Sequence, residues 1–208
     1  MHITVKNLLN IKEKVKAKFE TNKNILKLPQ IIAVSKTFKM DHIQHVLEQG
    51  HIHFGENKVQ EAVEKWTLVK DKNREIKLHL IGKLQTNKVK LAIKLFEFIH
   101  SLDSERLANK ISKFQNELNI KTKLFIQVNI GNEDQKSGIS VDEITNFYNY
   151  CRSIDLDIIG LMCIPPVNED TRKYFTQMND LNLKLELKEL SMGMSSDYLD
   201  AIDNNATF

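Results

Sequence analysis

The chain has 208 residues, 41% hydrophobic and 27% charged, which is enough apolar material for a sizeable core and excludes a disordered chain. Lysine and arginine number 30 against 27 acids, a balance of +3 that is too even to point to nucleic acid as a partner. Two isolated cysteines, Cys151 and Cys163, cannot build a disulfide framework, and no apolar run reaches membrane-spanning length or forms a signal-peptide core, so a cytoplasmic protein with no membrane partner is expected.

Leu8, Ile11, Val15 and Phe19 recur at helical spacing and predict an amphipathic first helix with a lysine-rich face. Short apolar runs then alternate with helical patterns. IIAVS (31–35) precedes a helix from near Asp41 to Gly50, and HIHFG (51–55) precedes one through Val59, Val63 and Trp66. KLHLIG (77–82) leads to Val89, Ala92, Ile93 and Phe96, and EFIHS (97–101) leads to Leu107, Ile111, Phe114 and Leu118. KLFIQVNI (123–130) leads to a capping box, Ser140 with Glu143, whose side chains are expected to satisfy free amides at a helix start. DIIGLM (157–162) and ELKELS (186–191) begin two more units. Apolar runs without strict alternation suit strands covered on both faces, and seven such units in a row predict an α/β fold: a (β/α) barrel or a doubly wound sheet. No linker divides the chain, so one domain is expected over 1–208.

In either architecture the ligand lies at the carboxyl ends of the strands. The polar residues there are Lys36; Gly55, Glu56 and Asn57; Gly82 and Gln85; His100 and Ser101; Asn129; Met162; and 191–196. A lysine at a strand end is an ordinary ion-pair partner on generic grounds; in a partly desolvated mouth it becomes a nucleophile able to form a Schiff base. In LSMGMSSDYLDAI (190–202), Gly193 makes a turn and Ser195 or Ser196 is placed to cap a helix whose free amides face an anion, although plain capping explains the same residues. IGKLQTNK lacks the spacing of a P-loop, and no G-x-G-x-x-G occurs. His51 and His53 have no carboxylate or cysteine at ligand spacing and read as core or hydrogen-bonding side chains, with no metal expected; Cys163 reads as a buried, inert thiol.

AVSKTF, HFGENKVQEAVEKW, LHLIGKLQTNKVK, HSLDSERLANKI, QVNIGNEDQKSGIS, GLMCIPP and LSMGMSSDYLDAI closely resemble, in order, the strand-end motifs of the pyridoxal phosphate homeostasis protein family, also described as alanine racemase N-terminal-domain-like. The resemblance runs from about residue 30 to the last residue. It implies a (β/α)8 TIM-type barrel with an extra N-terminal helix, holding pyridoxal 5'-phosphate (PLP) with Lys36 as the imine partner. It also implies Asn57 beside the cofactor ring or its oxygen, His79 and Met162 lining the pocket, and Ser191, Met192 and Ser195, with the Gly193 turn, around the phosphate.

The resemblance further implies a role in holding, buffering and delivering PLP in vitamin B6 homeostasis rather than in turning over a substrate. The expected recipients are PLP-dependent apoenzymes, and the expected state is a monomer. Racemase-type enzymes add a β-domain and a second acid-base group, for which 208 residues leave no room. The alternatives are a PLP-dependent racemase or decarboxylase, and an aldolase-like barrel using Lys36 on a sugar phosphate. One departure stands out: relatives continue into a last strand carrying Arg-x-Gly-Ser/Thr, whereas this sequence stops at NNATF. The expectation is a truncated eighth strand, two open sheet edges, and weaker cofactor retention and stability than in a longer relative.

Overall fold

The structure, a computed structural model, describes every residue except Asp134. Helix α1 (Ile3–Thr21) leads into strand β1 (Ala33–Val34), then α2 (Met40–Glu48), β2 (His53–Glu56), α3 (Val59–Lys72), β3 (Lys77–Leu80), α4 (Val89–Leu95) and β4 (Phe98–Leu102). The second half is α5 (Glu105–Leu118), β5 (Lys123–Val128), α6 (Ile144–Ser153), β6 (Ile158–Cys163), α7 (Arg172–Lys184), β7 (Glu189–Ser191) and α8 (Tyr198–Asp203). The strands form one sheet in chain order with every neighbouring pair parallel.

A bond across the interior shows that this sheet is curled. His100 Nδ1 of β4 lies 2.7 Å from Ser191 Oγ of β7. These strands are three places apart, which in a flat sheet would be about 14 Å. The chain therefore folds as a TIM-like barrel, which decides between the two architectures that periodicity left open.

Side chains alternate along each strand as the pleat requires. Phe54, Leu78, Leu80, Ile99, Ile126, Leu161 and Leu190 belong to the large cluster shared with Trp66, Ala92, Ile111, Phe147 and Phe175 of the surrounding helices. The alternate positions form a second, interior set in which Phe98, Phe125 and Met162 pack with Phe208. At Gly160 the alternation leaves no room: a β-carbon there would lie 1.9 Å from the Glu189 carbonyl oxygen.

Some local expectations are corrected. Strand β1 is only two residues long, and Val34 is 46% exposed, so it is not covered on both faces. Strand β7 begins at Glu189, because Glu186 turns the chain at φ 55. Ser140 caps no amide; its hydroxyl donates to Glu143 Oε2 at 2.8 Å, and a 3-10 turn over Val141–Glu143 precedes α6. The two open edges are tied at one level by Thr207 and Phe208. Thr207 N–H donates to Leu190 O (2.8 Å), Met192 N–H to Phe208 O (3.2 Å), and Gln30 N–H to Thr207 O (2.8 Å).

Candidate functional site

Because all seven strands are parallel, their carboxyl ends share one rim. Lys36 follows β1 in a tight turn: Ser35 N–H donates to Gly55 O at 2.9 Å and Phe38 N–H to Ser35 O at 3.2 Å. Thr37 closes the turn at φ 67, a left-handed conformation that is costly for a β-branched residue. Lys36 itself is exposed, and among the described residues it makes no ion pair or hydrogen bond. The partly desolvated mouth expected around it is therefore corrected. β1 contacts β2 over only two residue pairs and leaves its end open to water.

What fixes this turn is a carboxylate that the sequence showed only as one of several polar rim residues. Glu56, fully buried at the end of β2, accepts at Oε1 from Ser35 Oγ (2.7 Å), Lys65 Nζ (2.9 Å) and Trp66 Nε1 (2.9 Å). Lys65 Nζ also donates to Ser35 O at 2.9 Å. Helix α3 thus clamps the residue before Lys36 from behind. Glu56→Ala removes the carboxylate partner of a half-buried ammonium and leaves the buried Trp66 indole N–H without its acceptor, and is expected to cost about 3–5 kcal/mol in urea unfolding. Loss of under 1 kcal/mol would show that the clamp is not structural.

Asn57 comes next. Its side-chain oxygen is buried and has no hydrogen-bond partner among the described residues, so a donor from outside the protein would satisfy it. Gly82 allows the loop after β3 to approach, since a β-carbon there would lie 2.2 Å from Asn57 O.

At the other edge of the sheet, β6 and β7 bring Met162 and Ser191 into register, both almost fully buried. Met192 is 5% exposed, and Gly193 follows at φ 90. A β-carbon on Gly193 would meet Ala201 Cβ at 2.7 Å and Tyr198 Cα at 3.0 Å, so only glycine fits. The serines after it do not cap α8. Asp197 occupies the N-cap position and accepts from Met194 N–H at 2.6 Å, while Ser195 and Ser196 stay exposed. Among the described residues no hydrogen bond engages the amides of Gly193, Ser195 and Ser196, which leaves donors beside Ser191.

His79 is not a rim residue. It sits within β3, fully buried, stacked on Phe98 with ring centroids 4.3 Å apart. It is the middle of a chain that the sequence did not reveal: His53 Nδ1 lies 2.9 Å from His79 Nε2, and His79 Nδ1 lies 2.9 Å from His100 Nε2. His100 then meets Ser191. Burial holds these imidazoles uncharged: His100 is pushed down to about 3, and His79 lies well below the ordinary imidazole value, first through burial and then through His100 and His53. His53 is lowered by burial and then by Lys77; His51 is lowered to about 4 by burial and then by Lys12. His51 is a hydrogen-bonding side chain, with Nε2 2.9 Å from the His53 carbonyl. Burial raises both thiols to about 12, which leaves Cys163 unreactive as read. Among the described residues no cluster of three or more histidine, cysteine or acidic side chains is placed to hold a metal, and no helix is long and apolar enough to cross a membrane.

Among the described residues the rim thus presents an unpaired primary amine, an unsatisfied amide oxygen and a serine beside a glycine-only turn with free amides. These groups fit an aldehyde that also carries an anion.

Comparison with known proteins agrees with that chemistry. The family described as alanine racemase, N-terminal domain, matches residues 12–208. The pyridoxal phosphate homeostasis protein of Aquifex aeolicus is 36% identical over 188 residues, covering 86% of this chain and 82% of that protein. Its counterpart in Pasteurella multocida is 32% identical over 212 residues, covering 97% and 91%. The structure of PipY from Synechococcus elongatus with PLP bound matches at a TM-score of 0.79 and 32% identity, over 93% of this chain and 95% of that one.

Proposed function

This chain belongs to the pyridoxal phosphate homeostasis proteins, built on the alanine racemase N-terminal domain, and from that premise we propose that it binds PLP as a Schiff base on Lys36 and acts in PLP homeostasis and carriage. The observation that carries this reading is the amine of Lys36, exposed and unpaired among the described residues, on the same rim as the Ser191–Gly193 turn. PLP supplies an aldehyde that condenses with a primary amine.

Lys36 provides that amine, held in place by the turn that Glu56 anchors through Ser35. Asn57 offers its free side-chain oxygen to the ring or its substituent. Met162 gives the apolar wall, while Ser191, Ser195 and the amide of Gly193 hold the phosphate, with the Met192 side chain anchoring that turn in the core behind it. His79 acts from below the pocket. The amine faces water rather than an enclosed chamber, which favours exchange of the cofactor over its use in catalysis. In this reading the protein is a cytoplasmic monomer of one domain, spanning 1–208, that passes PLP to PLP-dependent apoenzymes.

Purified protein mixed with PLP is expected to gain the absorbance of a lysine Schiff base, and borohydride followed by peptide mapping is expected to place the pyridoxyl group on Lys36. A label confined to other lysines would overturn the assignment. Rapid exchange of an amino acid's α-proton for deuterium by the loaded protein would favour a racemase-like enzyme instead.

A further inference from the structure

The interior of the barrel contains a continuous line of exchangeable protons. His53, His79, His100 and Ser191 are joined head to tail at 2.9, 2.9 and 2.7 Å, each imidazole using Nδ1 towards Ser191 and Nε2 towards His53. His79 and His100 are 0% exposed and held uncharged, so each carries one ring proton and can donate at only one of its two links. Every link needs one proton, so the line has two complete arrangements.

In one, all ring protons sit on Nδ1: His53 donates to His79, His79 to His100, and His100 to Ser191, whose own hydroxyl proton is then free to point into the pocket. In the other, Ser191 donates to His100, all ring protons sit on Nε2, and Ser191 turns only lone pairs outward. An anion beside Ser191 is attracted by the first arrangement and repelled by the second. At its far end the line meets His53, which with His51 lines a cavity of about 370 Å³ on the amino side of the barrel. There a water molecule can donate to or accept from His53 Nε2, so either arrangement can be completed.

We propose that His53, His79 and His100 are positioning residues for the anion: they fix Ser191 as a donor to it, and binding of the anion sets all three imidazoles in the Nδ1–H form. No bond between heavy atoms is made or broken, and the number of protons in the line is unchanged. The inference rests on the reading that Ser191 faces the phosphate of PLP and adds the reason why a serine hydroxyl there is held in one orientation.

The test is nitrogen-15 NMR of histidine-labelled, full-length protein, titrated with PLP and separately with inorganic phosphate. With PLP bound, His79 and His100 are expected to read as pure Nδ1–H tautomers. If the Schiff-base absorbance forms while either ring stays Nε2–H or mixed, this inference fails and the PLP reading stands. If no Schiff-base absorbance forms and no ring responds to either anion, both fail.

Two variants separate orientation from packing. In His100→Asn the amide reaches the Nδ1 position and can still donate to Ser191; in His100→Gln it reaches the Nε2 position and cannot. Phosphate affinity is expected to hold within about threefold in the first and to fall roughly tenfold or more in the second. Equal loss in both would assign His100 a packing role only and overturn the proposal.

Discussion

Lys36→Ala protein is expected to show no Schiff-base absorbance with PLP and no pyridoxyl group fixed by borohydride, while folding as well as the parent. The effect is local. Lys36 is exposed and unpaired among the described residues, so its removal strands no buried partner and is expected to change stability by under about 0.5 kcal/mol. The condensation, by contrast, needs a primary amine at that point, and alanine has none. Lys36→Arg sharpens the test, because it keeps the positive charge but does not form the imine. Both variants are expected to lose the reducible linkage completely and to hold PLP only through its phosphate, so that dialysis removes it. Retention of a reducible chromophore by Lys36→Ala would move the imine to another residue.

The second large effect is a loss of stability in mild acid. His51, His79 and His100 are buried and uncharged, with His51 lowered to about 4 and His100 to about 3. Their folded-state values lie below those of the unfolded chain, where imidazole titrates near 6.5. Above that pH neither state binds the extra proton, and the full stability is present. As pH falls below 6.5 the unfolded chain takes up protons that the folded chain refuses, and stability drops until the folded values are reached. Each imidazole contributes a slope of up to about 1.4 kcal/mol per pH unit, so between pH 7.5 and 5 the three together are expected to remove roughly 6 kcal/mol. That is comparable with the whole stability of many domains. Urea unfolding at the two pH values checks this. A difference under about 1 kcal/mol would show that water reaches these rings.

The periodic apolar runs predicted the strands and helices in order because each buries one face against the next layer, a property local in sequence. Lys36, Asn57 and Ser191 were visible for the same reason, as polar residues directly after such runs. The clamp was not. It needs Glu56 to turn outward onto Lys65 and Trp66, adjacent residues on α3, and nothing in the spacing says which strand face meets which helix face. The histidine line was hidden more deeply. Its members lie 26, 21 and 91 residues apart, and only the curl and stagger of the strands bring them level. His53 and His79 do alternate with outward-facing apolar neighbours, a signal that places them inside but does not pair them. Ser195 misled because a serine beside a helix start is a good cap; the turn at Gly193 brought Asp197 to that position instead.

Gly160 shows how a residue remote from any ligand can govern the grip on one. With no side chain there, β7 lies close enough for the Glu189 carbonyl to fill the space, and the same register carries Ser191 level with Met162 two rungs later. The pair acts as a ruler: its zero mark is a missing methyl group, and its reading is the height of the serine. Bulk added at the zero mark would slide that reading and loosen the hold on the ester end of the cofactor, yet spare the amine that follows β1.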